Sequence, residues 1–199
     1  MELPTLQLLL EALTAAQNEP WALPHARRVL RLVERIAADM PYDRVVVLCA
    51  AYLHDWGAFA GYRQAGLAHP LRSREVVAEQ VLPRLSAQAE LTTAQIRSLL
   101  DCIELHDYRD PRPALTPESL LFREADALDL LGAVGIAREY AWRGSAEGSN
   151  DLDVVTARLH ARVQALRGFF LLPAAQAIAA QRLAEMEAFL GALEEELRG

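Results

Sequence analysis

The stretch Val45-Val46-Val47-Leu48-Cys49-Ala50-Ala51-Tyr52-Leu53-His54-Asp55-Trp56-Gly57 places an apolar run directly before an imidazole and a carboxylate. Val45–Val47 alone has strand character, but its surroundings are helical. Residues 43–55 therefore read as one uniformly apolar helix in a central, buried position. Burying an ionisable pair at the end of such a helix is costly unless a partner or a metal compensates it. The pair asks for a cation, and the rest of the chain must supply the remaining ligands.

Outward from this helix the apolar spacing stays helical. Leu6, Leu9, Leu10 and Leu13 form a first amphipathic segment, closed by Asn18-Glu19-Pro20. A second helix is expected after Pro24, with Val29, Leu32, Val33 and Ile36 on one face and Pro41 as its stop. Gly57, Gly61 and Gly66 mark a loop. Helices follow over about 70–82 and from Thr92 to His106, with Thr92 or Thr93 as cap. Pro111, Pro113 and Pro117 punctuate the next loop, and helix resumes from Glu118 to about Trp142 with a break near Gly132. Residues 144–150 read as a flexible turn before two long closing helices. The last carries Leu183, Met186, Phe189, Leu190 and Leu193 as a stripe, more often core than a dimer surface, so a homodimer stays open. No repeat or interdomain linker is evident. The fold class is all-α, a single domain over 1–199.

The chain has 199 residues and a formal net charge of -7, which argues against a nucleic-acid polymer as partner. It contains no lysine: all 20 basic residues are arginines. Schiff-base lysine chemistry and the Walker A lysine are excluded. An anionic substrate must be held by arginine, histidine, backbone N–H or a metal. Cys49 and Cys102 sit in apolar segments and read as small buried hydrophobes, not as a disulfide or a metal site. The start lacks the basic region of a signal peptide, and no apolar run approaches the ~18 residues of a membrane span. The expectation is a cytoplasmic protein without membrane contact.

His25, His54 and His106 fall at helix ends, His69 lies at the loop's close, and Asp126 sits in Glu124-Ala125-Asp126-Ala127-Leu128-Asp129. Imidazoles and carboxylates from separate helices can converge on one divalent ion and leave positions open for water or phosphate. Taken singly, each histidine is more often a hydrogen-bonded packing residue than a ligand. The ordered set His…His-Asp…Asp is harder to explain by packing.

That set resembles the HD superfamily of metal-dependent phosphohydrolases, and more narrowly its stand-alone YedJ/YpgQ-like branch. His25-Ala26-Arg27-Arg28-Val29, Tyr52-Leu53-His54-Asp55, His69-Pro70-Leu71-Arg72-Ser73 and Ile103-Glu104-Leu105-His106 are similar to the family's successive motifs. Residues 125–138, Ala-Asp-Ala-Leu-Asp-Leu-Leu-Gly-Ala-Val-Gly-Ile-Ala-Arg, resemble the branch's longest one. The likeness covers about 20–143, with residues of about 151–197 as additional C-terminal helices. It implies an HD-type helical bundle in which His25, His54, Asp55 and Asp126 hold one Mn²⁺, Mg²⁺ or similar ion, with Fe or Co also compatible. It implies hydrolysis of nucleotides or small phosphate esters. Asp55 and His106 would serve catalysis, and Arg28, His69, Arg72 and His106 would bind the substrate. For Arg28 and Arg72 the competing reading is a solvated helix face.

One departure matters. Many relatives carry an acid shortly after the His-Asp pair, whereas here none follows until Glu75, and Glu124 stands where aspartate is common. Glu104, Asp107 and Glu124 are the candidate bases. Trp56, Phe59 and Tyr62 could stack on a base, although filling the core edge is the commoner use. Two other readings stand beside the hydrolase: an HD-type di-iron oxygenase using His69 and His106 for a second iron, and a non-catalytic metal- or nucleotide-binding module.

Overall fold

Asp43 starts the apolar helix that the sequence singles out. In the computed structural model, which describes residues 1–38, 40–146 and 152–199, its carboxylate accepts from the Val45 and Val46 N–H groups. This satisfies two of the donors that a helix start leaves open. The helix, α3 (Arg44–Leu53), buries every side chain from Val46 to Leu53. Before it come α1 (Leu3–Ala15) and α2 (Ala22–Ala37). After it come α4 (His69–Val76), α5 (Leu82–Ala89), α6 (Thr93–Leu105), α7 (Pro117–Asp129), α8 (Gly132–Ala146), α9 (Leu152–Leu166) and α10 (Pro173–Arg198). The described residues contain no strand, and the fold is all-α.

The chain divides into two compact units, 1–126 and 127–199. In the first, α3 is the hub: α1, α2 and α6 pack on it, and α4 packs on α6 and on a short 3-10 turn at Trp56–Ala58. In the second, α8, α9 and α10 pack on one another. Asp129, almost fully buried, accepts from Arg138 at 2.6 Å, and the Arg182 guanidinium donates to the Leu128 carbonyl at 2.6 Å. Gly132 takes φ +70°, which suits the break between α7 and α8. A Cβ on Gly135 would collide with the Leu130 carbonyl. Much of the 125–138 motif thus shapes a tight corner.

Several boundaries differ from the sequence expectation. α2 begins at Ala22, so Pro24 lies inside its first turn, where no N–H is required. The helix expected to end near 82 continues through a π turn at Val77–Val81 into α5. Pro83 falls in the first turn of α5, directly after the π turn that the Leu82 N–H closes on the Val77 carbonyl. Thr92 caps α6 as expected, accepting from the Gln95 N–H while the Gln95 side chain accepts from the Thr92 N–H. Of the turn expected at 144–150, residues 144–146 continue α8 and 147–150 lie outside the described residues.

Candidate metal centre

α2 and α7 each bring one side chain to the end of α3. His54 is the last residue to continue the α3 backbone, and Asp55 leaves it at φ -101°, ψ 7°, the bridge region where active-site residues recur. His25 Nε2 lies 3.1 Å from His54 Nε2, 3.2 Å from Asp126 Oδ1 and 3.5 Å from Asp55 Oδ2. His54 Nε2 is 3.2 Å from Asp55 Oδ2 and 3.8 Å from Asp126 Oδ1. A second group meets the other oxygen of the same carboxylate. His69 Nε2 stands 3.4 Å and His106 Nε2 3.7 Å from Asp55 Oδ1, and the two rings approach to 3.1 Å.

The tautomers follow from the carbonyls behind the rings. His54 Nδ1 faces the Ala50 and Ala51 carbonyls, each at 3.2 Å, and His106 Nδ1 faces the Ile103 carbonyl at 2.7 Å. A carbonyl only accepts, so both Nδ1 atoms carry the proton, and in the neutral rings both Nε2 atoms present lone pairs. Acceptors that face one another and two carboxylates need a proton or a cation between them, and a divalent ion is one way to supply it. His25, His54 and Asp126 form one group of donor atoms able to hold a metal ion, and His54, Asp55 and His106 another. Nitrogen and carboxylate oxygen in this mixture suit a divalent transition metal. The backbone carbonyls behind the rings supply the outer support that such ligands need.

The electrostatics agree with a charged carboxylate pair. Burial raises the Asp55 carboxyl, but the His54, His69 and His25 imidazoles outweigh it and hold Asp55 well below the usual carboxylate range. Burial likewise opposes the shift at Asp126, where His25, His54 and His106 bring the carboxyl down. Burial, with the neighbouring His54 imidazole, lowers His106 to about 4. Burial also depresses the partly exposed His69, yet its contact with Asp55 leaves it raised.

The turn after the pair locks the centre. Trp56 Nε1 donates to the Tyr52 carbonyl at 2.9 Å, and the Gly57 N–H donates to Ser73 Oγ at 2.8 Å. A Cβ on Gly57 would lie 2.5 Å from the His69 carbonyl and 2.8 Å from the Arg72 carbonyl carbon. Gly57 therefore lets α4 approach, and α4 delivers His69. Trp56 and Phe59 are buried, so they fill the core edge, and Tyr62 stacks on Trp56.

Arg72 donates to the Tyr62 carbonyl at 2.8 Å and to Glu75 at 3.0 Å. Arg28 is half-buried on α2, three residues beyond His25. Of the candidate bases, Glu104 is paired with Arg74 and Arg112, and Asp107 with Arg109. Glu124 is buried on α7. Sequence reasoning passed over the loop after His106, where Arg109, Asp110 and Arg112 border a cleft of about 570 Å³ that opens at His69. Its signal was there: acids alternate with arginines in a chain without lysine.

Residues 23–131 match the family model described as HD domain, more than half of the chain. The chain belongs to the HD domain family. The matched HD region contains all six side chains of the cluster. Solved structures share the fold over nearly the whole chain. The Lin1889 protein of Listeria innocua is 20% identical with a TM-score of 0.70, over 100% of this chain and 98% of that one. Bacillus subtilis YpgQ is 24% identical with a TM-score of 0.73, over 98% and 97%. The same protein in complex with ADP gives 23% and 0.70, over 97% and 93%. A predicted HD superfamily hydrolase from an uncultured Thermotogales bacterium is 19% identical at 0.62, over 98% and 92%. No curated protein matches the sequence.

Proposed function

We propose that this HD protein is a metal-dependent phosphohydrolase acting on nucleotides or other small phosphate esters. His25, His54, Asp55 and Asp126 would hold one Mn²⁺, Mg²⁺ or similar ion. The observation that carries the reading is the convergence of imidazole nitrogens and carboxylate oxygens within 3.8 Å, with the His54 tautomer fixed so that a lone pair faces inward. A bound divalent ion polarises a phosphoryl oxygen and lowers the pKa of water toward neutrality. The chain's own residues do the rest. Asp55 Oδ1 and the His106 Nε2 lone pair are acceptors side by side, suited to orienting a water and taking its proton. This answers the lack of an acid after the pair, since Glu104 and Asp107 are already engaged by arginines. His69, half-exposed beside them, donates to a substrate phosphate oxygen, and Arg28 and Arg72 assist. The ADP complex of YpgQ supports a nucleotide as the ligand class.

The test is a panel of nucleotides and phosphate esters assayed for phosphate or pyrophosphate release with Mn²⁺. Release from at least one is expected, and His54→Ala should reduce it by about 100-fold or more. No release from any of them sinks the proposal.

The di-iron oxygenase has one observation in its favour. His69 and His106 close on Asp55 Oδ1 while His25 and His54 close on Oδ2, as two ions sharing one carboxylate would require. Two tightly bound irons per chain would replace the hydrolase reading.

A further inference from the structure

The cleft that opens at His69 is far larger than one phosphoryl group needs. Its volume of about 570 Å³ falls within the roughly 300–1,000 Å³ of small-molecule sites. One side is the start of α4, with Pro70 and Leu71, and the other is the loop carrying Asp107, Arg109 and Pro111. Leu71 is an exposed large apolar residue, 39% accessible, on that wall.

The charges of the cleft largely neutralise each other. Glu104 is held by Arg74 at 2.7 Å and by Arg112 at 2.6 Å, and Asp110 by Arg112 at 2.7 Å. Arg109 binds both oxygens of Asp107 through Nε. A polyphosphate needs a net positive surface, which this is not. Apolar walls edged by paired acids and guanidiniums suit a flat, uncharged group with its own donors and acceptors. Arg109 is the most available contact: its side chain is 67% exposed, and its Nη1 group makes no hydrogen bond among the described residues. A planar guanidinium both stacks on a ring and donates from its edge.

The loop is preformed. Arg123, buried on α7, donates to the Arg112 carbonyl at 2.6 Å and to the Asp110 carbonyl. The Arg109 N–H caps on Asp107 Oδ1 and the Arg112 N–H on Asp110 Oδ1, each at 2.9 Å. Because Arg123 lies three residues before Asp126, one helix fixes both the cleft wall and a cluster ligand. A wall that does not have to be ordered on binding loses less affinity to entropy.

We propose that this cleft is the subsite for the nucleoside portion of the substrate, with Arg109 as its polar contact and Leu71 and Pro111 as its apolar walls. The inference rests on the hydrolase reading, which puts the phosphoryl group at the histidine cluster. It is tested by calorimetric titration of the Mn²⁺-loaded protein with phosphate-free adenosine, guanosine, cytidine and thymidine, and separately with inorganic phosphate. At least one nucleoside should bind. Arg109→Ala and Leu71→Asp should each weaken it by about tenfold or more, with phosphate binding changed by less than about twofold. Leu71 is exposed, so its variant keeps the test sound should Arg109→Ala disturb the loop. If no nucleoside binds, or if both variants bind it as the parent does, the subsite is wrong. The two proposals fail separately. Nucleoside binding without any phosphate release upholds the subsite and removes the hydrolase, and phosphate release without nucleoside binding does the reverse.

Discussion

His54 and His106 show how single residues prepare this centre. Each spends Nδ1 on a backbone carbonyl and thereby turns Nε2 into an inward acceptor. The His54-Asp55 pair was legible in the sequence because a long apolar run makes any following charge conspicuous. The role of Gly57 was not, because its partners Ser73 and His69 are distant in sequence. Arg123 was equally hidden: nothing in Phe122-Arg123-Glu124 shows that its guanidinium is buried against the Asp110 and Arg112 carbonyls of a distant loop. Gly57→Ala tests the close approach. The added methyl meets backbone, which cannot yield as a flexible side chain would, so the variant should lose about 1–3 kcal/mol in denaturant unfolding. An unchanged midpoint would mean that α4 does not need this gap.

At the scale of elements, the helix pattern was readable wherever one face is apolar, and the stops were less so. The helix read over about 70–82 does not stop there: a π turn carries the chain past Pro83 into α5. The tie between α1 and the helices that carry His25 and His54 could not be read at all, since it depends on three separate segments meeting. Glu11 on α1 binds Arg27 on α2 at 2.7 Å and accepts from the Tyr52 hydroxyl on α3 at 2.7 Å. The hydrogen bond from Arg27, helped by those of Tyr52 and Gln7, lowers the Glu11 carboxyl from 4.5 to about 2. A lowered carboxylate stabilises the fold above its unfolded pKa and loses that contribution as pH falls through the folded one. The difference in melting temperature between the parent and Glu11→Gln should therefore be full above pH 4.5 and shrink as pH falls toward 2. Salt should reduce it, because the Arg27 pair is largely exposed. A difference independent of pH would assign Glu11 to packing alone.

For the molecule as a whole, a net charge of -7 gives no general attraction for an anionic substrate, so binding must be local. Among the described residues no helix is long and apolar enough to cross a membrane. The HD match ends at residue 131, and the helices α8 to α10 all lie beyond it. On the proposed reading, buried imidazoles and carboxylates face one another because a cation belongs between them. The most direct test is the metal content of the purified chain after equilibration with Mn²⁺ and removal of the excess. One exchangeable divalent ion per chain is expected, lost in His54→Ala and in Asp126→Ala while both variants keep their helical circular dichroism. A parent chain that retains no ion, or variants that retain it undiminished, would contradict that reading.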